Sequence, residues 1–260
     1  TYGTPSVSAE ELRGLLAQRR KLVILDSRPM EEYTVMNIPG GVNVPGAELV
    51  HRVHDLAPDA ETLIVVNCAG RTRSIIGAQS LINAGIPNPV VALRNGTMGW
   101  HLAGLELERG QRRAAPPPSA RGLEGARAAA QRVARRFGVR TVEAATLRRW
   151  QGEAGQRTLY VLDVRLPEEY EAGHLPGARN APGGQLVQAT DAYVGTRNAR
   201  IVLVDDTEVR ATLTASWLIQ MGWQEVAVLA GGLPRDGLEC GPRRAEVPGL
   251  PADVEALEPA

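Results

Sequence analysis

Short apolar runs, each closed by a polar cluster and followed by a helical pattern, recur along this 260-residue chain. Lys21 to Leu25 leads into Asp26 and Arg28, and Leu63 to Val66 leads into Asn67 and Cys68. Runs of this length, bounded by turn residues, read as strands buried on both faces. Ser8-Ala9-Glu10-Glu11 has the capping-box pattern that opens a helix, and Ile75 to Ile82 reads as an amphipathic helix. Strands alternating with helices predict an α/β fold, a parallel β-sheet flanked by helices.

The pattern occurs twice. Asp163 to Tyr170 repeats Asp26 to Tyr33, and His174 to Gly183 repeats Asn37 to Gly46 without a gap. Arg200 to Asp206 repeats the strand before Cys68, and Thr212 to Gly222 repeats its helix. Val226 to Leu229 with Gly231-Gly232 repeats the last strand and turn. The unit is domain-sized. We read 1–110 and 139–245 as two tandem domains, 111–138 as linker and connecting helix, and 246–260 as a tail. Pro116-Pro117-Pro118 stiffens the linker. Leu123, Ala126, Ala130, Val133, Ala134 and Phe137 put an apolar stripe on the connecting helix, predicted to pack between the domains.

Composition narrows the classes of function. Acidic and basic residues balance at 29 each, so nothing favours nucleic acid as a partner of the whole chain. No run of about 20 apolar residues exists to span a membrane. Lys21 is the sole lysine among many arginines, which with abundant Ala, Gly and Pro suggests a GC-rich, bacterial genome. Thr1 is not an initiator methionine and no signal-peptide pattern opens the chain, so it can be a piece of a longer protein. Two cysteines, one of them needed free, suit a reducing cytoplasm. Cys240 falls in a late loop and reads as an incidental surface thiol. His51, His54 and His101 are expected to face solvent, none at ligand spacing, and no metal or organic cofactor is implied.

The candidate chemistry centres on Cys68, at the carboxyl end of a strand and just before a helix. Open parallel sheets bind ligands at that end, and helix N-termini favour anions. The amides from Ala69, Gly70, Arg71, Thr72, Arg73 and Ser74, together with the two arginine charges, favour thiolate over thiol and would hold an oxyanion.

The segment Cys68 to Ser74 resembles the active loop of the rhodanese family of sulfurtransferases. Asp26 to Tyr33 with Ile38 to Pro45 resembles that family's amino-terminal signature. Leu93 to Gly96 with Trp100 resembles its Gly-Gly…Trp signature, with Asn95 in place of the first glycine. The resemblance implies a Cys68 persulfide cradled by loop amides, with Asp26 bracing the loop and Arg28 pairing with an acid such as Glu32. It implies a donor such as thiosulfate and an acceptor that is cyanide, a small thiol or a protein. Phosphatases on the same fold carry one more residue between cysteine and arginine, so the four here favour sulfur over phosphate or arsenate. The rivals are a phosphatase or arsenate reductase, and a non-catalytic sulfur carrier or interaction module. In the second copy, matching Val65-Val66 to Leu203-Val204 puts Asp206 opposite Cys68, and Glu208 and Val209 opposite Gly70 and Arg71. A carboxylate forms no persulfide, so that copy is expected to be inactive. Asp205, Asp206 and Glu208 then read as a solvated polar loop.

Overall fold

The computed structural model describes residues 3–153 and 155–242; the expected tail, 246–260, and the last residues of the second domain lie outside them. In the first half the order is β1 (Ser6–Val7), α1 (Ala9–Ala17), β2 (Leu22–Asp26), α2 (Met30–Val35), β3 (Val42–Asn43), α3 (Glu48–Leu56), β4 (Leu63–Asn67), α4 (Thr72–Asn83), β5 (Val90–Leu93) and α5 (Gly96–Leu102). A long helix, α6 (Ala120–Phe137), follows. The second half runs β6 (Arg140–Val142), α7 (Ala144–Gly152), β7 (Leu159–Asp163), α8 (Pro167–Ala172), β8 (Arg179–Asn180), α9 (Gly183–Gln188), α10 (Thr190–Tyr193), β9 (Arg200–Val204), α11 (Val209–Gln220) and β10 (Val226–Leu229).

Each half builds a five-stranded parallel sheet, ordered β1-β5-β4-β2-β3 and β6-β10-β9-β7-β8. Successive strand side chains point to opposite faces. Leu25, Ile64 and Val66 therefore pack under α3 and α4, while Ile24 and Val65 pack with Leu12, Leu93 and Trp100 under α1 and α5. The second sheet repeats the division, with Leu203 on one face and Val202 and Val204 on the other. The capping box at Ser8 and Glu11 is formed in both directions.

Helix α6 joins the cores. Its buried Ala126, Ala129, Ala130 and Val133 share one apolar cluster with Leu49 and Val53 of α3 and with Val209 and Leu213 of α11. Small residues let the helices approach closely: a Cβ on Gly125 would stand 3.0 Å from the His54 ring. His54 is consequently half-buried, and burial, aided by Arg132, lowers its pKa below the usual 6.5. His51, expected at the surface, is buried instead, with its Nδ1 3.3 Å from Glu48 Oε2. Solvent reaches His101.

The segment before α6 is more than a spacer. Asn43 N donates to Arg113 O at 2.7 Å and Ala115 N donates to Asn43 O at 3.1 Å, so residues 113–115 run as a strand-like extension along the edge of β3. Between the halves, a Cβ on Gly46 would stand 3.1 Å from Gly184 Cα, and Trp217 Nε1 donates to Ser80 Oγ at 2.7 Å.

Candidate functional site

The site starts at the carboxyl end of β4. Asn67, buried though polar, closes the strand and donates from Nδ2 to Asp26 Oδ2 and to Thr97 Oγ1, both at 2.9 Å. Asp26 is itself held by Arg28, whose Nε and Nη2 reach its two carboxylate oxygens at 2.9 and 2.7 Å. Arg28 also donates to Met36 O, at 2.7 Å. The expected Arg28–Glu32 ion pair does not form: Arg28 meets only the backbone carbonyl of Glu32, at 3.3 Å. The Glu32 carboxylate turns instead to Arg73, two charge-assisted bonds of 2.6 and 2.7 Å. Those bonds lower the Glu32 pKa and raise that of Arg73.

Cys68 follows Asn67 and is 2% exposed. Its carbonyl accepts from Thr97 N at 2.8 Å and the next carbonyl, of Ala69, accepts from Met98 N at 2.9 Å, so the first turn of α5 clamps the loop. This approach is why a glycine stands at 96. It adopts φ +54°, and a Cβ there would collide with the Cys68 carbonyl and lie 2.9 Å from Gly70 N. Asn95 precedes it at φ +59°, a left-handed conformation that asparagine tolerates better than most residues.

Past Cys68 the chain turns through Ala69, Gly70 and Arg71 into Thr72, the first residue of α4. The first amides of a helix have no partner within it. Among the described residues, the backbone N–H groups of Ala69 through Ser74 find no acceptor. The first bond of the helix is Ile75 N to Arg71 O, and Ser74 Oγ braces the turn by donating to the same carbonyl at 2.9 Å. Arg71 is exposed and its side chain pairs with no acid among the described residues. The two arginines therefore differ: Arg73 is neutralised by Glu32, and Arg71 is an uncompensated cation at the mouth. Trp100 does not reach the loop. Its indole is buried in the α1–α5 layer and donates to Glu106 O at 2.8 Å, fixing α5 and with it the clamp.

The second copy corrects the alignment by one residue. Asp26 pairs in register with Asn67, and Asp163 with Val204, so Val204 takes the place of Asn67 and Asp205, not Asp206, takes that of Cys68. The helices agree: α4 and α11 each begin four residues later, after Arg71 and Glu208. Glu208 thus replaces Arg71, reversing its charge, and Arg210 matches Arg73. Asp205 is no solvated loop residue. It is buried, and its Oδ2 accepts from Arg210 N at 3.0 Å and Thr207 Oγ1 at 3.1 Å. The protein's own carboxylate thus takes up amide capacity that the first copy leaves open. Burial raises the Asp205 pKa, outweighing the nearby Arg210 charge.

Arg210 is buried among four carboxylates: Glu48 at 2.8 Å, Glu169 at 2.7 Å, Asp206 at 2.6 Å, and Asp205 at 3.6 Å from its Nε. Burial disfavours its charge, but these acids outweigh burial and hold its pKa well above the usual arginine value. Glu48 belongs to the first half. Burial opposes its ionisation too, yet Arg210, His51 and Arg52 keep its carboxyl well below the usual carboxylate range. Cys240 is exposed and donates to Ala172 O at 3.3 Å; both cysteines are free.

The roles of Asn67 and Thr97 and the Glu32–Arg73 pairing escaped the sequence reading, which had Gly96 only as part of a signature. Asn67 carried a signal, a polar residue closing an otherwise apolar strand. Thr97 carried none.

Comparison with known proteins agrees with this geometry. The description "Rhodanese-like domain" matches residues 8–103 and 143–235. The crystal structure of a thiosulfate sulfurtransferase from Pseudomonas aeruginosa is 59% identical with a TM-score of 0.89, covering 94% of this chain and 46% of that one. An HTH-type transcriptional regulator of Mycobacterium tuberculosis is 35% identical over 101 residues, 38% of this chain and 44% of that protein. An uncharacterized protein of Bacillus subtilis is 35% identical over 92 residues, 35% of this chain and 71% of that protein. The chain thus spans about half the length of the Pseudomonas aeruginosa chain. With the strand order and the close approach of a glycine to the loop carbonyl repeated in both halves, and both halves matched, the chain belongs to the rhodanese-like domain family, in two tandem copies.

Proposed function

We propose that this chain is a sulfurtransferase whose first domain, 1–110, works through Cys68 and whose second, 139–245, is inactive. The observation that carries this reading is the loop Cys68 to Ser74: a sulfur at a strand end, amides without acceptors, and one uncompensated cation, Arg71. Thiosulfate as donor is supported by the 59% identical thiosulfate sulfurtransferase.

In the first half-reaction the Cys68 thiolate attacks the outer sulfur of thiosulfate. The donor's S–S bond breaks, its electron pair leaves with sulfite, and a Cys68 persulfide remains. The amides of Ala69 to Ser74 stabilise the negative outer sulfur, and Arg71 and Arg73 attract the donor's oxyanion. Asp26, Arg28 and Trp100 hold the loop without touching substrate. In the second half-reaction cyanide, a small thiol or a protein thiol attacks the outer sulfur, and Cys68 leaves as thiolate. No step needs a metal, an organic cofactor or nucleic acid. No helix among the described residues is long and apolar enough to cross a membrane; two free cysteines support a cytoplasmic setting, and the Pseudomonas aeruginosa relative supports a bacterial one.

A carrier role draws support from a putative sulfur carrier protein of Bacillus subtilis, 31% identical over 96 residues. Thiosulfate:cyanide turnover of wild type beside Cys68→Ala, with intact mass after thiosulfate, separates the two. Sustained turnover with a wild type heavier by one sulfur, both lost in the variant, supports the enzyme. A loaded wild type that turns over poorly supports the carrier, and a wild type that neither loads nor turns over sinks both.

A further inference from the structure

Exposed apolar side chains and arginines stand on the elements that frame the Cys68 loop. Among the described residues six large hydrophobic side chains are exposed, and four of them stand on helices that meet this loop: Val35, Ile75, Met98 and Leu102. Met98 N donates to Ala69 O and Ile75 N to Arg71 O, so each is one hydrogen bond from the loop. Leu102, the most exposed at 80%, lies one turn beyond Met98 on the same face of α5. Val35 lies one turn beyond Glu32, whose carboxylate grips Arg73. Among the described residues the second copy has no helix at the position of α5 and exposes one large hydrophobic side chain, Met221, at the far end of α11.

Charge sharpens the picture. Arg71 is unpaired, Arg94 meets Glu11 only at 4.0 Å, and Arg109 donates to Val35 O at 3.2 Å. The neighbouring acid Glu32 is consumed by Arg73, and Glu31 lines the cleft between the domains. A small anion such as thiosulfate needs the amides and a cation, and gains nothing from exposed leucine, isoleucine, methionine and valine. Such a patch is stabilised when another apolar surface covers it.

We propose that this rim docks a protein acceptor, a thiol-bearing segment with apolar side chains beside its cysteine and acidic residues flanking them. The inference rests on the sulfurtransferase reading and names the acceptor of that same site. The acceptor's thiolate attacks the outer sulfur of the Cys68 persulfide. The old S–S bond breaks with its pair returning to Cys68, a new S–S bond forms on the acceptor, and no oxidant or reductant is consumed. The apolar contacts present the thiol to a sulfur that is itself nearly buried, and the arginines steer the acidic flanks.

The test uses the whole chain, loaded with thiosulfate, and three synthetic peptides. One carries a cysteine between leucines with glutamate flanks, one has lysines for the glutamates, and one has serines for the leucines. The first should be sulfurated with a kcat/KM about tenfold above either of the others. The double variant Val35→Glu with Leu102→Glu should lose that preference while keeping thiosulfate:cyanide turnover. Val35→Ser with Leu102→Ser should show a smaller loss in the same direction. A wild type that sulfurates all three peptides alike, or surface variants that lose nothing, overturns the docking surface. A wild type without cyanide turnover or sulfur gain overturns the sulfurtransferase reading itself, a result distinguishable from the first.

Discussion

In the first domain Arg73 meets one carboxylate, Glu32, at a half-open edge beside the sulfur. In the second the matching Arg210 meets four, in the interior, and one of them reaches across from the other domain. The backbone frame is shared: strand order, register, the glycine that touches the loop carbonyl, and the arginine one residue into the helix. What differs is where charge goes. The first loop leaves amides and a cation open to an incoming anion. The second fills one of the matching amides from within, Arg210 N bonding Asp205, and uses its arginine to hold the domains together. Filling of the anion loop and gain of cohesion are thus one change seen from two sides.

The sharpest way to break the comparison is at the sulfur position. Cys68→Ala should abolish turnover and sulfur gain outright, whereas Asp205→Asn should leave both near wild type in the same assay. Removing the two arginines should invert the ranking for stability. Arg210→Met removes the buried cation that four carboxylates share, two of them, Glu48 and Asp205, themselves buried, and should cost about 3–5 kcal/mol, read in denaturant unfolding. Arg73→Met releases a Glu32 that is 41% exposed and should cost no more than about 1 kcal/mol, while raising the KM for thiosulfate. Next come the glycines. Gly96→Ala must relieve its overlap with Cys68 O and hold alanine at positive φ, about 1–3 kcal/mol of strain. The displaced loop should lower kcat/KM at least about tenfold. Gly232→Ala meets Asp205 O at 2.9 Å, and should destabilise similarly with activity intact.

The smallest effect is a pH dependence at the α3–α6 contact. His54 titrates below 6.5 in the folded chain. The unfolded chain therefore binds more protons as pH falls through 6.5, and stability declines on the acid side until the folded ring also protonates. His54→Gln should flatten that slope in a series of thermal melts, and an unchanged slope would remove His54 as its cause.

Much of this was legible in the chain because the core is simple. Apolar runs of strand length, capping signals and a gapless repeat specify two parallel sheets, and the cysteine stands out at a strand end. The one-residue error in the second copy has a physical origin. β4 ends on Asn67, which bonds Asp26, while β9 ends on Val204, which needs no such partner. Matching the ends of the apolar runs therefore slid the second strand by one and picked Asp206. Register is set by pairing with the neighbouring strand, which letters alone do not show. Likewise the resemblance pointed to Arg28 as the partner of an acid such as Glu32. Only the geometry shows that Asp26 already satisfies the fork of Arg28, leaving Glu32 to Arg73.

The stretch at residues 113–115 has a consequence for handling the protein in parts. Its backbone closes the outer edge of β3, which would otherwise present unpaired amides and carbonyls to any passing strand. A first half severed at residue 110 would keep its loop and its sulfur but lose that cover, together with the α6 face packed over α3. Such a fragment should associate with itself at its raw edge, whereas one carried on through residue 138 keeps that edge covered and should associate less. The connector is a gasket as much as a tether.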